Sequence, residues 1–155
     1  MTWSRVVAAL LPIALGAVWT PLRAQGAHEL QVQAVATVTA DQFIGGGVGY
    51  AYRTGGRVRL GLLASAGSWE RDFAGRAEAM VSYHLNPFQR RGVTPYAGGG
   101  ATVTFTGAES SEYILLVAGV ESGPGGRRGW FVEVGMAGGL RLAAGLRWRL
   151  GSRGS

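Results

Sequence analysis

Three side chains of the types that perform hydrolysis lie close together in the sequence: Glu78, Ser82 and His84. A serine, a histidine and a carboxylate can form a nucleophilic relay, in which the histidine accepts the serine proton and the acid orients the histidine. Ser82 and His84 are two residues apart, so on a β-strand their side chains point to the same face and run parallel. A nucleophile and its base must converge, and we therefore predict a polar pair and no enzymatic activity.

Arginine recurs at even spacing in the apolar segment "LRLAAGLRWRL", residues 140–150. On a strand, Arg141, Arg147 and Arg149 would share one face, because side chains alternate with period two. The opposite face would carry Leu140, Leu142, Ala144, Leu146 and Trp148. The segment therefore combines an apolar face with a guanidinium-bearing face, and the guanidinium groups need carboxylates if they are buried.

Period-two alternation extends along the chain after residue 25, where no stretch shows a helical period with caps. Glycine, 27 of 155 residues, lies mostly within these segments, which is typical of curved strands or of closely approaching backbones. The segment at 112–121 is apolar on both faces, so either Glu112 or Glu121 could share its inner face. We predict eight strands, at residues 30–38, 48–52, 57–67, 76–85, 96–105, 112–121, 130–136 and 140–150.

The turns between these strands divide into two sets by charge. Alternate turns of an up-and-down meander lie at opposite ends of the sheet. A wrong number of strands would mix the two sets, so the segregation of charge supports the count of eight. Arginines occur in or beside the turns at 53–57, 86–92 and 122–129. The second set comprises the turns at 39–42, 69–72, 107–110 and 137–139 and carries Asp41, Glu70, Asp72 and Glu109, with Arg71 as the one exception.

Residues 1–24 are predicted to be a secretory signal peptide, which leaves residues 25–155 as the exported domain. Arg5 precedes an apolar run at 6–19, and "TPLRA" leads to the expected cleavage after Ala24. A transmembrane anchor is disfavoured because the run is short and contains Pro12.

The composition excludes several classes of site. The chain has no cysteine and two histidines, which excludes a disulfide scaffold, leaves little for a metal centre and indicates no cofactor. All 15 basic residues are arginine. In an exported protein, arginine-rich turns favour contact with anionic headgroups or the periplasmic wall over contact with nucleic acid.

Aromatic residues lie near the predicted strand ends, whereas aliphatic residues and glycine occupy the middle of the strands. Two belts of aromatic residues that flank an aliphatic band are typical of transmembrane strands, because amphipathic aromatic side chains favour the depth of the headgroups. We predict aromatic belts that contain Tyr50, Tyr52, Tyr83, Trp130, Trp148, Trp69, Phe73 and Phe105.

These patterns fit a sheet that crosses a bilayer. Every backbone N–H and C=O must be paired there, so a sheet can span only when it is closed, and eight strands leave room only for their own side chains. We predict an all-β fold, an eight-stranded antiparallel up-and-down transmembrane β-barrel. Its interior charge network is predicted to contain Arg59, Arg76, Glu78, Glu133, Arg141 and Arg147.

Two segments resemble those of small outer-membrane β-barrels of the OmpA/OmpX-type eight-stranded class. They are "YHLNPFQRRGVTPYAGGGATV" at 83–103 and the segment at 140–150, and the similarity covers nearly all of residues 28–150. The resemblance implies an integral outer-membrane protein of a Gram-negative-type bacterium, with a structural or surface role rather than an open pore. It also implies a monomer whose partners are outer-membrane lipids and the barrel-assembly machinery.

The chain departs from this class in two ways. Members usually end on an aromatic residue that the assembly machinery recognises, whereas here Leu150 is followed by "GSRGS", with Trp148 as the nearest aromatic residue. Members also tend to carry long surface loops, whereas all the predicted loops of this chain are short.

Two alternatives stay open. One is a barrel-type lipid A-modifying hydrolase, since some barrels of this size resemble lipid A deacylases; their motif places the serine two residues after the histidine, where this chain has Asn86. The other is a soluble periplasmic ligand-binding β-barrel of the lipocalin type, which predicts an apolar interior. The arginine-bearing face of residues 140–150 argues against the second alternative.

Overall fold

Eight antiparallel strands form one closed barrel in a computed structural model that describes residues 26–38, 42–69, 72–107 and 109–151. Each strand pairs with its neighbours in the sequence, and the barrel closes between the first and last strands, where Val32 lies opposite Leu146. The predicted all-β, up-and-down architecture is confirmed. The strands are β1 (Ala27–Val38), β2 (Phe43–Arg53), β3 (Val58–Trp69), β4 (Asp72–His84), β5 (Val93–Thr106), β6 (Glu109–Ser122), β7 (Arg128–Met136) and β8 (Leu140–Leu150).

Most strands are longer than the sequence pattern predicts, and β2 differs most. It begins at Phe43, five residues before the predicted segment at 48–52. The intervening residues include Gly45, Gly46 and Gly47, which have no side chains to alternate, so period two is invisible there. The backbone nevertheless continues the ladder, with Gly45 opposite Gly67 and Gly47 opposite Ser65 of β3.

The two faces of the sheet differ in chemistry along every strand. Even-numbered positions of β1 and β3 point outward and are mostly exposed, whereas odd-numbered positions point inward and are mostly buried. In β6 the inward residues include Leu115, Val117 and Glu121, while Glu112 is exposed near the start of the strand. This resolves the facing that the sequence leaves open, and it places Glu121 inside.

Small apolar clusters complete the inside of the barrel. Phe43 of β2 packs with Val35, Ala74 and Ala143, and Trp69 of β3 packs against this group, 6.5 Å from the Phe43 ring centre to centre. The prediction of Trp69 in an aromatic belt is therefore wrong. Trp69 has the parity of Arg59 and Ser65, which point inward, and its position at a strand end does not override that parity.

The end of the barrel where β1 begins and β8 ends is here called the terminal end, and the opposite end is called the distal end. Two turns at the terminal end, residues 85–92 and 123–127, are joined by backbone hydrogen bonds. Gly123 N donates to Gly92 O at 2.9 Å, and Gly125 N donates to Gln89 O at 2.8 Å. Pro124, within the second turn, is fully buried. These turns therefore cover part of the terminal opening.

The predicted signal peptide at 1–24 lies outside the described residues. Within the described ranges, no helix is long and apolar enough to cross a membrane.

Candidate functional site

Five charged side chains form a cluster inside the terminal half of the barrel, here called the terminal cluster. Two carboxylates, Glu29 of β1 and Glu121 of β6, receive three arginines. Arg53 Nε lies 3.0 Å from Glu29 Oε1, and Arg53 Nη2 lies 3.0 Å from Glu121 Oε2. Arg59 Nε contacts Glu29 Oε2, and Arg147 Nε contacts Glu121 Oε2, each at 3.0 Å. Arg53 therefore joins both carboxylates, and the cluster links β1, β2, β3, β6 and β8.

A second group, the central cluster, contains Glu78, Glu133, Arg76 and Arg141. Arg141 Nη2 lies 2.8 Å from Glu78 Oε2, and its Nη1 lies 2.7 Å from Glu133 Oε2. Arg76 Nε lies 2.7 Å from Glu78 Oε1, and Tyr96 Oη donates to Glu133 Oε1 at 2.7 Å. One guanidinium of β8 thus holds carboxylates of β4 and β7, since its planar fork presents two sets of donors.

Arginines outnumber carboxylates in the described interior, where six guanidinium groups face four carboxylates. Backbone carbonyl oxygens accept hydrogen bonds from two of these arginines. Arg147 Nη2 donates to Gly123 O at 2.7 Å, and Arg149 Nη2 donates to Pro124 O at 2.8 Å. The turn at 123–127 is therefore held by Arg147 of the terminal cluster and by Arg149.

A chain of hydrogen bonds joins Ser82 and His84 to the terminal cluster. Ser82 Oγ lies 3.0 Å from His84 Nε2, and His84 Nδ1 lies 2.5 Å from Glu121 Oε1. An ionised carboxylate can only accept, so His84 donates from Nδ1, and in its neutral form it accepts the Ser82 hydroxyl at Nε2. The expectation that Ser82 and His84 do not converge is wrong. The His84 ring also stacks on Tyr96 with centres 4.6 Å apart.

This chain has the connectivity of a serine–histidine–acid relay but lacks access. Ser82 is 1 % exposed, and His84 and Glu121 are equally buried. A nucleophile needs a site where the reacting carbon can lie about 3 Å away, and the Ser82 hydroxyl faces packed interior side chains. The geometry supports an internal hydrogen-bond chain.

All six predicted interior charges lie inside the barrel and are buried: Arg59, Arg76, Glu78, Glu133, Arg141 and Arg147. Glu29 and Arg53 lie outside the predicted network, because Glu29 precedes the predicted start of β1 and Arg53 falls in a predicted turn. Parity could have found both. Glu29 continues the inward row of Gln31 and Gln33, and Arg53 alternates with the outward Tyr52.

The other predicted belt residues occupy outward positions. Near the terminal end, Tyr50, Tyr83 and Trp130 are exposed, while Tyr52 and Trp148 are half-buried. Phe73 and Phe105 are exposed near the distal end. In the part of the chain that the structure describes, no group of three or more His, Cys, Asp or Glu side chains is arranged to hold a metal ion.

Comparisons with known proteins support the fold. No model of a known protein family and no curated protein matches the chain. The N-terminal β-barrel domain of OprF from Pseudomonas aeruginosa is similar in structure, with a TM-score of 0.61 and 16 % identity over 81 % of this chain and 100 % of that one. Neisserial surface protein A gives a TM-score of 0.57 and 13 % identity over 81 % and 97 %. A designed transmembrane β-barrel, TMB2.3, gives 0.53 and 22 % over 83 % and 98 %. The chain therefore shares the closed eight-stranded fold of outer-membrane and designed transmembrane β-barrels.

Proposed function

We propose that the protein is an integral outer-membrane β-barrel with a side-chain-filled interior, and that its role is structural or at the cell surface rather than that of an open pore. One observation carries the proposal: burial is inverted relative to a soluble protein. Ile114 is 76 % exposed and Val48 64 %, whereas Arg141 and Arg147 are fully buried. Soluble proteins rarely expose continuous apolar surface of this kind or place arginine at their centre.

A bilayer accounts for both faces of the sheet. The outward aliphatic side chains would meet lipid chains, and closure of the barrel pairs the backbone polar groups that hydrocarbon cannot solvate. The inward charges are then buried by the barrel itself, and pairing offsets the large cost of burying them.

The interior network argues against a wide channel. Arg53 extends from β2 to Glu121 on β6, and Arg141 extends from β8 to Glu78 on β4. These ion pairs cross the axis at two levels. An eight-stranded barrel has an interior that side chains can fill, so we expect no continuous water path of porin size.

The Ser82–His84–Glu121 chain is the observation that favours the alternative of a lipid-modifying hydrolase. Burial of Ser82 opposes it, because an acyl chain outside the barrel cannot reach a hydroxyl on the inner face. The second alternative, a soluble ligand-binding barrel, is opposed by the charged interior, since such barrels enclose an apolar cavity.

The proposal includes export to the periplasm, removal of residues 1–24 and insertion by the barrel-assembly machinery as a monomer, with outer-membrane lipids as surroundings. Fractionation of expressing cells tests it. We expect the protein in the outer-membrane fraction, resistant to alkaline extraction. Boiled and unboiled samples should migrate differently on a detergent gel, because a closed barrel resists unfolding by the detergent. Recovery in the soluble periplasmic fraction would refute membrane residence.

A further inference from the structure

Exposed charge is divided between the two ends of the barrel. Among the residues that the structure describes, the exposed arginines lie at the terminal end and the exposed acids lie near the distal end. The arginines are Arg57, Arg90, Arg91, Arg127 and Arg128, and the acids are Asp72, Glu109 and Glu112. The terminal end therefore presents a positive rim.

Two of these arginines lie beside aromatic belt residues: Arg57 in the turn between β2 and β3, and Arg128 at the start of β7. Arg57 Nη1 donates to Tyr83 Oη at 3.0 Å, and its guanidinium carbon lies 5.9 Å from the centre of the Tyr83 ring. Arg128 opens the outward row of β7, two residues before Trp130, and lies opposite Trp148 in the β7–β8 ladder. The Arg57 guanidinium thus contacts the terminal belt, and Arg128 shares the register of the belt residue Trp148.

The distal belt has different chemistry. Its described outward aromatics are Phe73 and Phe105, which offer no hydrogen-bond donor, and Trp69 points inward. Exposed carboxylates surround this end, including Asp72 next to Phe73. A negatively charged headgroup is disfavoured there by like charge, whereas the terminal belt offers cations, hydroxyl groups and indole N–H groups.

We propose that Arg57 and Arg128 form two separate binding positions, on opposite sides of the barrel, for the phosphodiester headgroups of anionic glycerophospholipids in the leaflet around the terminal end. A guanidinium fork matches two phosphate oxygens, and the adjacent rings of Tyr83 and Trp148 fix its depth at the interface. Arg90, Arg91 and Arg127 also lie in turns and add a longer-range attraction that salt screens. This inference rests on the proposed membrane residence.

Tryptophan fluorescence provides a direct test at Arg128, because Trp130 follows it in the outward row of β7 and Trp148 lies opposite it in the β7–β8 ladder. The protein is purified from membranes and reconstituted in phosphatidylcholine vesicles that contain brominated phosphatidylglycerol or, as reference, brominated phosphatidylcholine. Bromine quenches nearby indoles, so the ratio of quenching gives the relative affinity for the two lipids. We expect a preference for phosphatidylglycerol, with each basic side chain at the surface contributing about fivefold.

Two double variants with the same change in net charge distinguish binding at the belt arginines from attraction by the total charge of the protein. Arg57→Gln with Arg128→Gln should remove most of the preference, at low and at high salt. Arg90→Gln with Arg91→Gln removes the same charge from a turn, and should reduce the preference less and only at low salt. Equal losses in the two variants, or quenching that does not depend on the headgroup, would overturn the inference.

Two further measurements keep the result decisive. Migration of unboiled samples from the same vesicles reports insertion, so failure to insert counts against the proposed function, whereas insertion without a lipid preference counts against this inference alone. Sedimentation with purified cell-wall sacculi tests the other anionic surface. If the Arg57→Gln, Arg128→Gln variant loses binding to sacculi while its lipid preference is unchanged, the surface serves the wall and the inference is wrong.

Discussion

Arg53 of β2 reaches Glu121 of β6 across the inside of the barrel, with its Nη2 3.0 Å from Glu121 Oε2. The same guanidinium contacts Glu29 of β1, and Arg147 of β8 contacts the same Glu121 carboxylate. When a charge has several charged partners in a buried site, removing it leaves those partners without a counter-charge. The network therefore couples strands that are not neighbours in the sheet.

Glu121→Gln should destabilise the barrel by roughly 3–5 kcal/mol, because Arg53 and Arg147 lose a buried counter-charge. Arg53→Gln should lower the free energy of unfolding by a smaller amount, since arginines already outnumber carboxylates in the terminal cluster. The free energy of unfolding, from urea titration of the protein in lipid vesicles, measures both. Glu112→Gln on the exposed part of β6 is the matched control and should leave stability unchanged. An equal loss for Glu112→Gln and Glu121→Gln would contradict the facing of β6.

The strand count and the inward faces of most strands could be predicted because period two is explicit wherever large and polar side chains alternate. The start of β2 could not be, since consecutive glycines carry no pattern. Glu121 could not be distinguished from Glu112 because β6 is apolar on both faces, and only pairing with β5 and β7 fixes its parity.

The contents of the site were predictable, but its contacts were not. Parity alone placed Arg141 and Glu78 inside, whereas the choice of partner depends on barrel closure, which brings β8 and β4 to opposite walls. The His84 ring that meets Ser82 is bound by Glu121 of β6 and stacked on Tyr96 of β5. No spacing within β4 encodes those contacts. Trp69 shows the reverse error, in which location at a strand end was given more weight than parity.

Val48→Arg should destabilise the barrel by about 2–4 kcal/mol in a bilayer, because Val48 is the central residue of β2 and points outward. Val93→Arg places the same side chain at the terminal end of β5, where it can reach the headgroups, and should cost little. Urea titrations in vesicles compare the two variants. If Val48→Arg is tolerated as well as Val93→Arg, the outward face does not meet hydrocarbon.

The protein should form no steady conducting pore in a planar bilayer. Arg53–Glu121 and Arg141–Glu78 cross the interior at separate levels, and displacing either pair would leave buried charges unpaired. We expect current recordings at the baseline of a bilayer that contains the detergent alone. Stable ohmic steps that scale with salt would instead support a channel role.

Ser82 should not react with a fluorophosphonate probe in the folded protein, even though it is hydrogen-bonded to His84. The hydroxyl lies inside the barrel, and a serine that cannot be reached cannot be acylated. Labelling is read by in-gel fluorescence, with a known serine hydrolase as positive control. Labelling of the folded protein that is lost in Ser82→Ala would reinstate the hydrolase alternative.

Two adjacent glycines of β2 should respond in opposite directions to the same substitution. A Cβ on Gly45 would lie 2.5 Å from Ala66 O and 2.8 Å from Phe43 Cζ, so Gly45→Ala requires the backbone of β3 or the buried Phe43 ring to move. We expect a loss of about 1–3 kcal/mol, as for other overpacked sites.

Gly46 points outward, and the nearest atom to an added Cβ is Gln33 O at 3.8 Å. Gly46→Ala should therefore stabilise the barrel by about 0.4–1 kcal/mol, because alanine restricts the unfolded chain without strain in the folded one. Urea titrations of the two variants in the same vesicles measure the difference. The two positions share the same strand and nearly the same depth. Equal effects of the two substitutions would therefore mean that close packing is not the reason why position 45 requires glycine.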